Sequence, residues 1–361
     1  MTIADIAKQR LINQQLVGTK FTTAKEMVSH LGAVQAQDYE MAKWAIGIRL
    51  SETEKEIEQS INNGDIIRTH ILRPTWHLVS ADDIRWILAL TAPHVKSAVA
   101  SAWRSLELDE KVFKRANTLI QKALAGGEHL TRAELMTMLQ KKGIAINTLR
   151  SIHLMYRAEL EGIVCNGIKR EKQFTYALLD ERVPSGKILK KEEALAELAK
   201  RYFNSHGYAT LQDFCWWSGL TVANAKIGLE SIKSKIDSAK IDNKVYWFYN
   251  TSPFVMKDFE NIHFLPAFDE FMVSYKDRSP SLDSKIAKHV ITSNGIFRPI
   301  IVVNGKVEGI WKRTLKKDHV LIEPHFFKSK KNLKRNALEE AVKQYEDFLG
   351  MKTIIKANSS I

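Results

Sequence analysis

Two glutamines separated by one residue, Gln35 and Gln37, are the side chains whose type and spacing best suit a chemical role. An amide accepts hydrogen bonds through its oxygen and donates them through its nitrogen, so two amides could aim a water molecule as a nucleophile without an unusual pKa. Residues two apart lie about 200° apart on a helix, so the sequence predicts an extended backbone here. The alternative is two ordinary polar loop residues beside a buried Ala36.

The residues around the two glutamines favour a short extended segment between two helices. Gly32 can end one helix and Asp38 can cap the next, which leaves a short junction between them. Asp38 is also the nearest carboxylate and the alternative general base, although its position favours helix capping.

Helical spacing of apolar residues and a strand-like stretch interrupted by Pro74 predict helices followed by a β-hairpin around this junction. This order is typical of a winged helix. The predicted elements are helices at 3–14, 22–31, 38–49 and 53–62 and two strands within 66–79.

The same order is predicted twice more along the chain, which indicates internal repetition. The second copy has helices at 110–125, 131–141 and 149–161 and strands within 162–177. The third has helices at 191–205, 214–218 and 221–231 and ends in a strand region at 241–248.

After Phe254 the pattern changes to strands, with Asn304-Gly305 as a type I′ turn, and ends in a helix at 336–349 and a weakly ordered tail after Gly350. We therefore predict an α+β fold, mainly helical, in which tandem winged-helix units precede a C-terminal β-rich domain. The predicted units are 1–84, which carries the two glutamines, 85–185, 186–252 and 253–361.

The chain is basic, because 54 Lys and Arg against 41 Asp and Glu give it a formal net charge of +13. A basic surface gains affinity for nucleic acid by releasing counterions from phosphates, so an anionic partner is expected. Simple solvation by these charges is the alternative.

Sequence signatures for nucleotide hydrolysis, zinc peptidase and α/β-hydrolase chemistry are missing, and no metal site or cofactor is expected. Cys165 and Cys215 are the two cysteines, too few for a disulfide framework. No stretch of 18 or more apolar residues occurs. We expect a cytoplasmic monomer with no membrane span.

Polar side chains alternate with apolar ones in the predicted first hairpin, so one face could contact DNA. The candidates there are Arg68, Arg73, Thr75 and His77. In the later hairpin the turn at Asn304 and Lys306 could probe a groove, and Lys312 and Arg313 could hold phosphates. Solvated strand and turn residues are the alternative for both sets.

The segment LGAVQAQDYEMAKWAIGIRL, residues 31–50, resembles the AlkZ and YcaQ family of winged-helix DNA glycosylases. The active site of that family contains a Gln, an apolar residue and then Gln or Asp, which corresponds to Gln35-Ala36-Gln37. The resemblance extends to three further blocks in the same order. These are ILRPTWHLVSADD (71–83), FLPAFDEFMVSYKDRS (264–279) and VVNGKVEGIWKR (302–313).

The resemblance implies tandem winged helices around a concave surface for double-stranded DNA, and release of alkylated bases, in some members with unhooking of interstrand crosslinks. The Gln-x-Gln form points to the AlkZ-like branch. Arg73 and His77 lie in a matching block and could bind phosphate or the extruded nucleotide.

The residues themselves favour a restricted set of substrates. An N7-alkylated guanine already carries a positive charge and leaves easily, so two neutral amides that aim a water at C1′ would suffice. The competing functions are a non-catalytic DNA-binding protein or transcription regulator, and a protein-interaction module whose charge serves solubility.

Overall fold

The structure of the protein is a computed structural model that describes residues 2–18, 20–249, 261–328 and 335–356. Within these residues the chain has an α+β fold with more helix than strand and a C-terminal five-stranded sheet. The predicted fold class is confirmed at this level. The predicted boundary between residues 252 and 253 lies outside the described residues.

The first eighty residues contain the two glutamines. Their elements are α1 (Ile3–Asn13), α2 (Ala24–Leu31), β1 (Val34–Gln35), α3 (Tyr39–Gly47), α4 (Glu54–Asn63), β2 (Ile66–His70) and β3 (Trp76–Ser80). Thr23 begins α2 with a capping box, in which its side chain and that of Glu26 each accept from the other residue's backbone N–H. β1 adds a third strand to the hairpin, in the order β1-β3-β2. The predicted helices and hairpin are therefore confirmed, and β1 is an addition to them.

The same order of helices and strands follows twice. The second copy comprises α6 (Glu110–Leu124), β4 (Leu130–Thr131), α7 (Arg132–Lys141), α8 (Thr148–Leu160), β5 (Val164–Asn166) and β6 (Thr175–Leu178), and the third comprises α10 (Lys191–Ser205), α11 (Leu211–Ser218), α12 (Val222–Ile232), β7 (Asp237–Ile241) and β8 (Lys244–Phe248). The second sheet has the order β4-β6-β5. The third copy has no strand that corresponds to β1 and β4 among the described residues. In its place Ala209 forms a β-bridge with Trp247 of β8.

Two helices connect the copies, α5 (Ile84–Ser105) and the short α9 (Leu179–Arg182). The 22-residue α5 was not predicted. No helix of the described residues, α5 included, is long and apolar enough to cross a membrane.

The C-terminal part is built around one sheet, whose strand order is β13-β12-β11-β10-β9. Its elements are β9 (Ile262–Leu265), α13 (Glu270–Val273), α14 (Ala287–Val290), β10 (Ile300–Val303), β11 (Lys306–Leu315), β12 (Val320–Phe326), α15 (Arg335–Leu349) and β13 (Thr353–Ile355). Asn304 and Gly305 have φ of 49° and 82°, as a type I′ turn requires. The expectation of weak order directly after Gly350 was wrong, because β13 pairs in parallel with β12.

The sheet β1-β3-β2 lies between two hydrophobic cores. Ile67 and Val79 point into a core shared with α5 and the second and third copies, whereas Ile66 and Leu78 point into a core shared with the C-terminal sheet and α15. Successive side chains of a strand point to opposite faces, so both faces of this sheet are covered. Its polar side chains are consequently held inside the protein.

A buried ion pair connects the end of α3 to the start of α13. The Arg49 guanidinium donates to both carboxylate oxygens of Asp269, at 2.8 and 2.9 Å, and its Nε donates to the Gln14 carbonyl at 2.9 Å. Asp269 also accepts from the Phe271 backbone N–H at 2.8 Å and so caps α13. Because Arg49 and Asp269 are each 1% exposed, removal of one partner leaves the other charge buried and uncompensated.

Asp269→Ala should therefore lower the free energy of unfolding by about 3–5 kcal/mol. Asp318→Ala, in the exposed turn between β11 and β12, is the matched control and should change it by less than about 0.5 kcal/mol. Urea unfolding measures both variants. A loss below about 1 kcal/mol for Asp269→Ala would show that the ion pair does not hold α13 in place.

His263 on β9 should make stability depend on pH. Burial lowers the pKa of its imidazole from 6.5 to about 4, so the folded protein holds it neutral. Its contribution is complete above pH 6.5 and is lost as the pH falls towards 4, by at most about 3 kcal/mol.

In His263→Phe the decline in unfolding free energy between pH 7 and pH 4 should be smaller than in the wild type by about this amount. His319→Asn, near the exposed turn, should keep the wild-type decline. Equal pH dependence in the wild type and His263→Phe would refute this assignment.

Candidate functional site

Gln35 lies where the edge strand β1 ends. Its Cα pairs with that of His77 on β3, and the next residue, Ala36, donates its N–H to the Trp76 carbonyl at 2.7 Å. Gly32 ends α2 with a positive φ of 80°, and Asp38 accepts from the Met41 N–H at 3.1 Å as the cap of α3. The predicted junction is confirmed, and Asp38 has the capping role that its position favoured.

The side chain and the backbone of Gln35 are both held. Its amide oxygen accepts from Arg73 Nη2 at 3.1 Å, and its backbone N–H donates to Glu270 Oε1 at 2.7 Å. Because the amide oxygen of Gln35 accepts from Arg73, the amide nitrogen is the part of this side chain that can donate hydrogen bonds to a ligand. Gln35 is 7% exposed, so this orientation is set by the protein rather than by solvent.

Glu270 is the buried carboxylate behind the site. It is 0% exposed, and burial raises the pKa of its carboxyl, while the nearby Arg73 charge acts in the opposite direction. One oxygen accepts from Gln35, and the other accepts from the Ser274 hydroxyl. Glu270 therefore fixes the position of the β1 backbone and has no exposed surface with which to reach a substrate.

Gln37 differs from Gln35. It is exposed, and the chain bends at Gln37 and Asp38 before α3 begins. Within the part of the chain that the structure describes, no group hydrogen-bonds to its amide. The extended backbone expected for both residues thus applies to Gln35 alone, and Gln37 presents an amide with both functions available.

Buried polar atoms lie across the sheet from Gln35. His77 pairs with Gln35 on one side and with Thr69 on the other, and His77 Nε2, Thr69 Oγ1 and Arg73 Nε have no partner among the described residues. Burial and the Arg73 charge hold the pKa of His77 well below its usual value, so its imidazole is neutral. At 0% exposure, His77 has no surface for the DNA contact that the sequence suggested.

Arg68 occupies the opposite face of this sheet. Its Nη2 donates to the Ala36 carbonyl at 3.1 Å, and its guanidinium lies 4.1 Å from the Trp76 ring and 4.7 Å from the Phe174 ring. Arg68 is 7% exposed, so it supports the Gln35-Ala36-Gln37 segment from within. A cleft of about 660 Å³ opens beside it towards α7 and α8. Thr75, half-buried in the β2–β3 connection, completes the hairpin candidates.

The C-terminal candidates lie at two separate places. The Asn304–Gly305 turn is packed against α1, since a Cβ on Gly305 would lie 2.8 Å from the Ala7 carbonyl carbon. Asn304 accepts from the Asn261 N–H at 3.0 Å, and Lys306 donates to the Pro280 carbonyl. Gly305 and Lys306 are thus held against the protein, whereas Asn304 is exposed, so a groove contact by this turn stays a prediction for Asn304.

Lys312 and Arg313 lie towards the other end of β11, roughly 20 Å from Lys306 at the usual rise of a strand. Lys312 is exposed, and half-buried Arg313 donates to the Tyr345 hydroxyl. The Asp38 charge contributes to raising the pKa of Tyr345, which is raised mainly by burial. The Tyr345 ring also lies 4.9 Å from the ring of Trp44 on α3, so Arg313 is connected through Tyr345 to the helix that Asp38 caps.

The sequence reasoning missed three residues that the structure brings to Gln35. Glu270 lies in the FLPAFDEF block, whose resemblance was noticed without a role for its carboxylate. Trp216 on α11 and Arg278 after α13 lie beside Arg73, and only the position of Arg278 in a matching block could have drawn attention to it. No group of three or more His, Cys, Asp and Glu that could hold a metal ion occurs in the described residues.

Comparison with known proteins identifies the family. The family model for AlkZ-like DNA glycosylases matches residues 28–348, nearly the whole chain and all of the site described above. The chain belongs to the AlkZ-like DNA glycosylase family. The predicted family resemblance is thereby confirmed, and a role on DNA follows from this membership.

A solved structure agrees with this assignment. The DNA glycosylase AlkZ of Streptomyces sahachiroi superposes on 99% of this AlkZ-like chain and 100% of its own, with a TM-score of 0.82 at 19% sequence identity. At that identity the match shows a shared fold. No curated protein sequence matches the chain significantly.

Proposed function

We propose that this protein is a monofunctional DNA repair glycosylase that hydrolyses the N-glycosidic bond of alkylated bases of the N7-alkylpurine type. The observation that carries the proposal is a buried neutral amide in a fixed orientation, followed two residues later by an exposed neutral amide. Gln35 is oriented by Arg73 and Glu270, and Gln37 is exposed beside it. The same reaction at a crosslinked N7 position would unhook an interstrand crosslink.

The two amides divide the work in this proposal. Because Arg73 occupies the Gln35 oxygen, Gln35 donates through its nitrogen to a sugar or phosphate oxygen of the extruded nucleotide. Gln37 accepts a hydrogen bond from the attacking water and aims it at C1′. As the N-glycosidic bond breaks and the C1′–O bond forms, the proton of this water passes to bulk solvent, which reaches the exposed Gln37. The base departs without protonation because N7-alkylation already gives it a positive charge, so no residue with a shifted pKa is needed.

We infer that the three copies are winged-helix units on which double-stranded DNA lies. Each has a helix, a strand or bridge, two helices and two strands, and the first strand always pairs with the third. The units 1–84, 85–185 and 186–252, followed by the β-rich 253–361, remain our proposed domains. Lys312 and Arg313 are proposed phosphate contacts, Thr75 is proposed to face the extruded nucleotide, and Arg73 is proposed to act on that nucleotide through Gln35. The protein is proposed to act as a monomer without a cofactor.

The division of work predicts different results at the two glutamines. Gln35→Glu removes both amide donors and should lower base release by about 100-fold or more, whereas Gln37→Glu keeps an acceptor oxygen and should stay within about 10-fold of wild type. Gln37→Leu keeps neither a donor nor an acceptor, so its base release should be lowered as much as that of Gln35→Glu. The family motif, which accepts Asp at its second position, agrees with this order.

The measurement is single-turnover release of free base from a duplex that contains N7-methylguanine, with an interstrand-crosslinked duplex as a second substrate. Borohydride trapping should yield no covalent adduct, as a monofunctional enzyme requires. If the wild type released no base from either duplex, the protein would be a non-catalytic DNA-binding member. Equal losses in Gln35→Glu and Gln37→Glu would refute the assigned roles.

Arg73 is a positioning residue in this account, since it acts on the substrate through Gln35. Arg73→Met should lower kcat by about 10- to 100-fold with little change in KM, and Arg73→Lys should recover part of the loss. Lys55→Met, on the exposed face of α4, is the matched loss of a cation and should leave the rate unchanged.

A double-mutant cycle separates positioning from folding. In a Gln35→Ala background, Arg73→Met should cost less than about 2-fold, because the group it orients is already gone. Fully additive losses would show that Arg73 contributes independently of Gln35.

A further inference from the structure

An exposed tryptophan, Trp216, shares a hydrogen-bond acceptor with Arg73, the residue that orients Gln35. Trp216 and Trp217 are neighbours on α11, and Trp217 is buried with its ring 3.0 Å from the position of a Cβ on Gly32, at the end of α2. Trp216, by contrast, is 43% exposed. Tryptophan carries the largest side chain, and one that the fold leaves exposed near a candidate site has a large apolar surface available to a ligand.

The Trp216 ring is held in a fixed position close to the candidate catalytic amide. Its Nε1 donates to the Val273 carbonyl at 2.9 Å, and Arg73 Nη1 donates to the same oxygen at 3.4 Å. The other terminal nitrogen of Arg73 donates to Gln35. The Arg73 guanidinium thus connects Gln35 to the carbonyl that holds the Trp216 indole. α13 holds both residues, since Val273 accepts from Trp216 and Glu270 accepts from the Gln35 backbone.

One cationic side chain, that of Arg278, already lies against this ring. The Arg278 guanidinium carbon is 5.4 Å from the Trp216 centroid and 5.0 Å from the Phe297 centroid. Arg278 is held by the Met272 carbonyl, which its Nε contacts at 2.9 Å. The electron-rich face of an indole attracts a positive charge, and Arg278 takes up only part of this surface.

We propose that Trp216 determines specificity by stacking its exposed indole on the positively charged alkylated base. The inference rests on the proposed function and names the feature of the substrate that this site reads. An ordinary guanine is neutral, whereas an N7-alkylated guanine carries a delocalised positive charge. Cation–π attraction in a partly desolvated site favours the charged base by about 3- to 30-fold.

The test compares binding of two duplexes that differ in charge and not in shape. One contains 2′-fluoro-arabino N7-methylguanine, which is cationic and resists hydrolysis, and the other contains the neutral isostere 7-deaza-7-methylguanine on the same sugar. The wild type should bind the cationic duplex about 10-fold more tightly. Trp216→Leu should reduce this ratio to about 1, and Trp216→Phe should give an intermediate ratio.

Ile227→Ala is the matched control, because Ile227 is 46% exposed on the neighbouring helix α12 and lies outside the site. It should keep the wild-type ratio, and thermal unfolding of each variant reports whether its fold is intact. A wild type without a preference, a Trp216→Leu variant that keeps the preference, or an equal loss of affinity for both duplexes would each overturn the proposal.

The outcome is independent of the test for catalysis. A wild type that prefers the cationic duplex but releases no base would leave the role of Trp216 standing and refute the hydrolysis. A wild type that releases base but binds both duplexes equally would support the hydrolysis and refute the role of Trp216.

Discussion

The hydrogen bond from the Gln35 backbone to the buried Glu270 carboxylate fixes the geometry on which the rest of the site depends. Glu270 follows Asp269, whose bidentate pair with Arg49 anchors the start of α13. The end of the same short helix offers the Val273 carbonyl to Arg73 and Trp216. A single turn of helix from the C-terminal part thereby sets the position of an edge strand, the guanidinium that orients its glutamine and the neighbouring indole.

This arrangement explains how neutral side chains could perform a hydrolysis. The sheet that carries Gln35 is covered on both faces by hydrophobic cores, so Gln35 pays little conformational entropy when it meets a substrate. Orientation rather than a shifted pKa is then what the protein supplies. Such a site suits only a base that leaves without help, and an aromatic ring that favours positive charge would select the same bases.

The sequence predicted much of the local structure, because caps and turns depend on neighbouring residues. The helix end at Gly32, the helix cap at Asp38 and the type I′ turn at Asn304 are all confirmed. The missed features depend on distant contacts. Glu270 meets Gln35 across 235 positions of the chain, and the burial of His77 and the exposure of Trp216 follow from how separate parts of the chain pack together. Helical spacing within one segment carries no information about such contacts.

The central claim is that Gln35 and Gln37 meet the sugar of an extruded, alkylated nucleotide. A crystal structure of the protein bound to a duplex with 2′-fluoro-arabino N7-methylguanine tests it most directly. The account predicts the modified nucleotide outside the helix, with a water bonded to the Gln37 oxygen about 3–3.5 Å from C1′ and the Gln35 nitrogen on a sugar or phosphate oxygen. A nucleotide that stays stacked in the duplex, or that enters the protein away from these two amides, would contradict it.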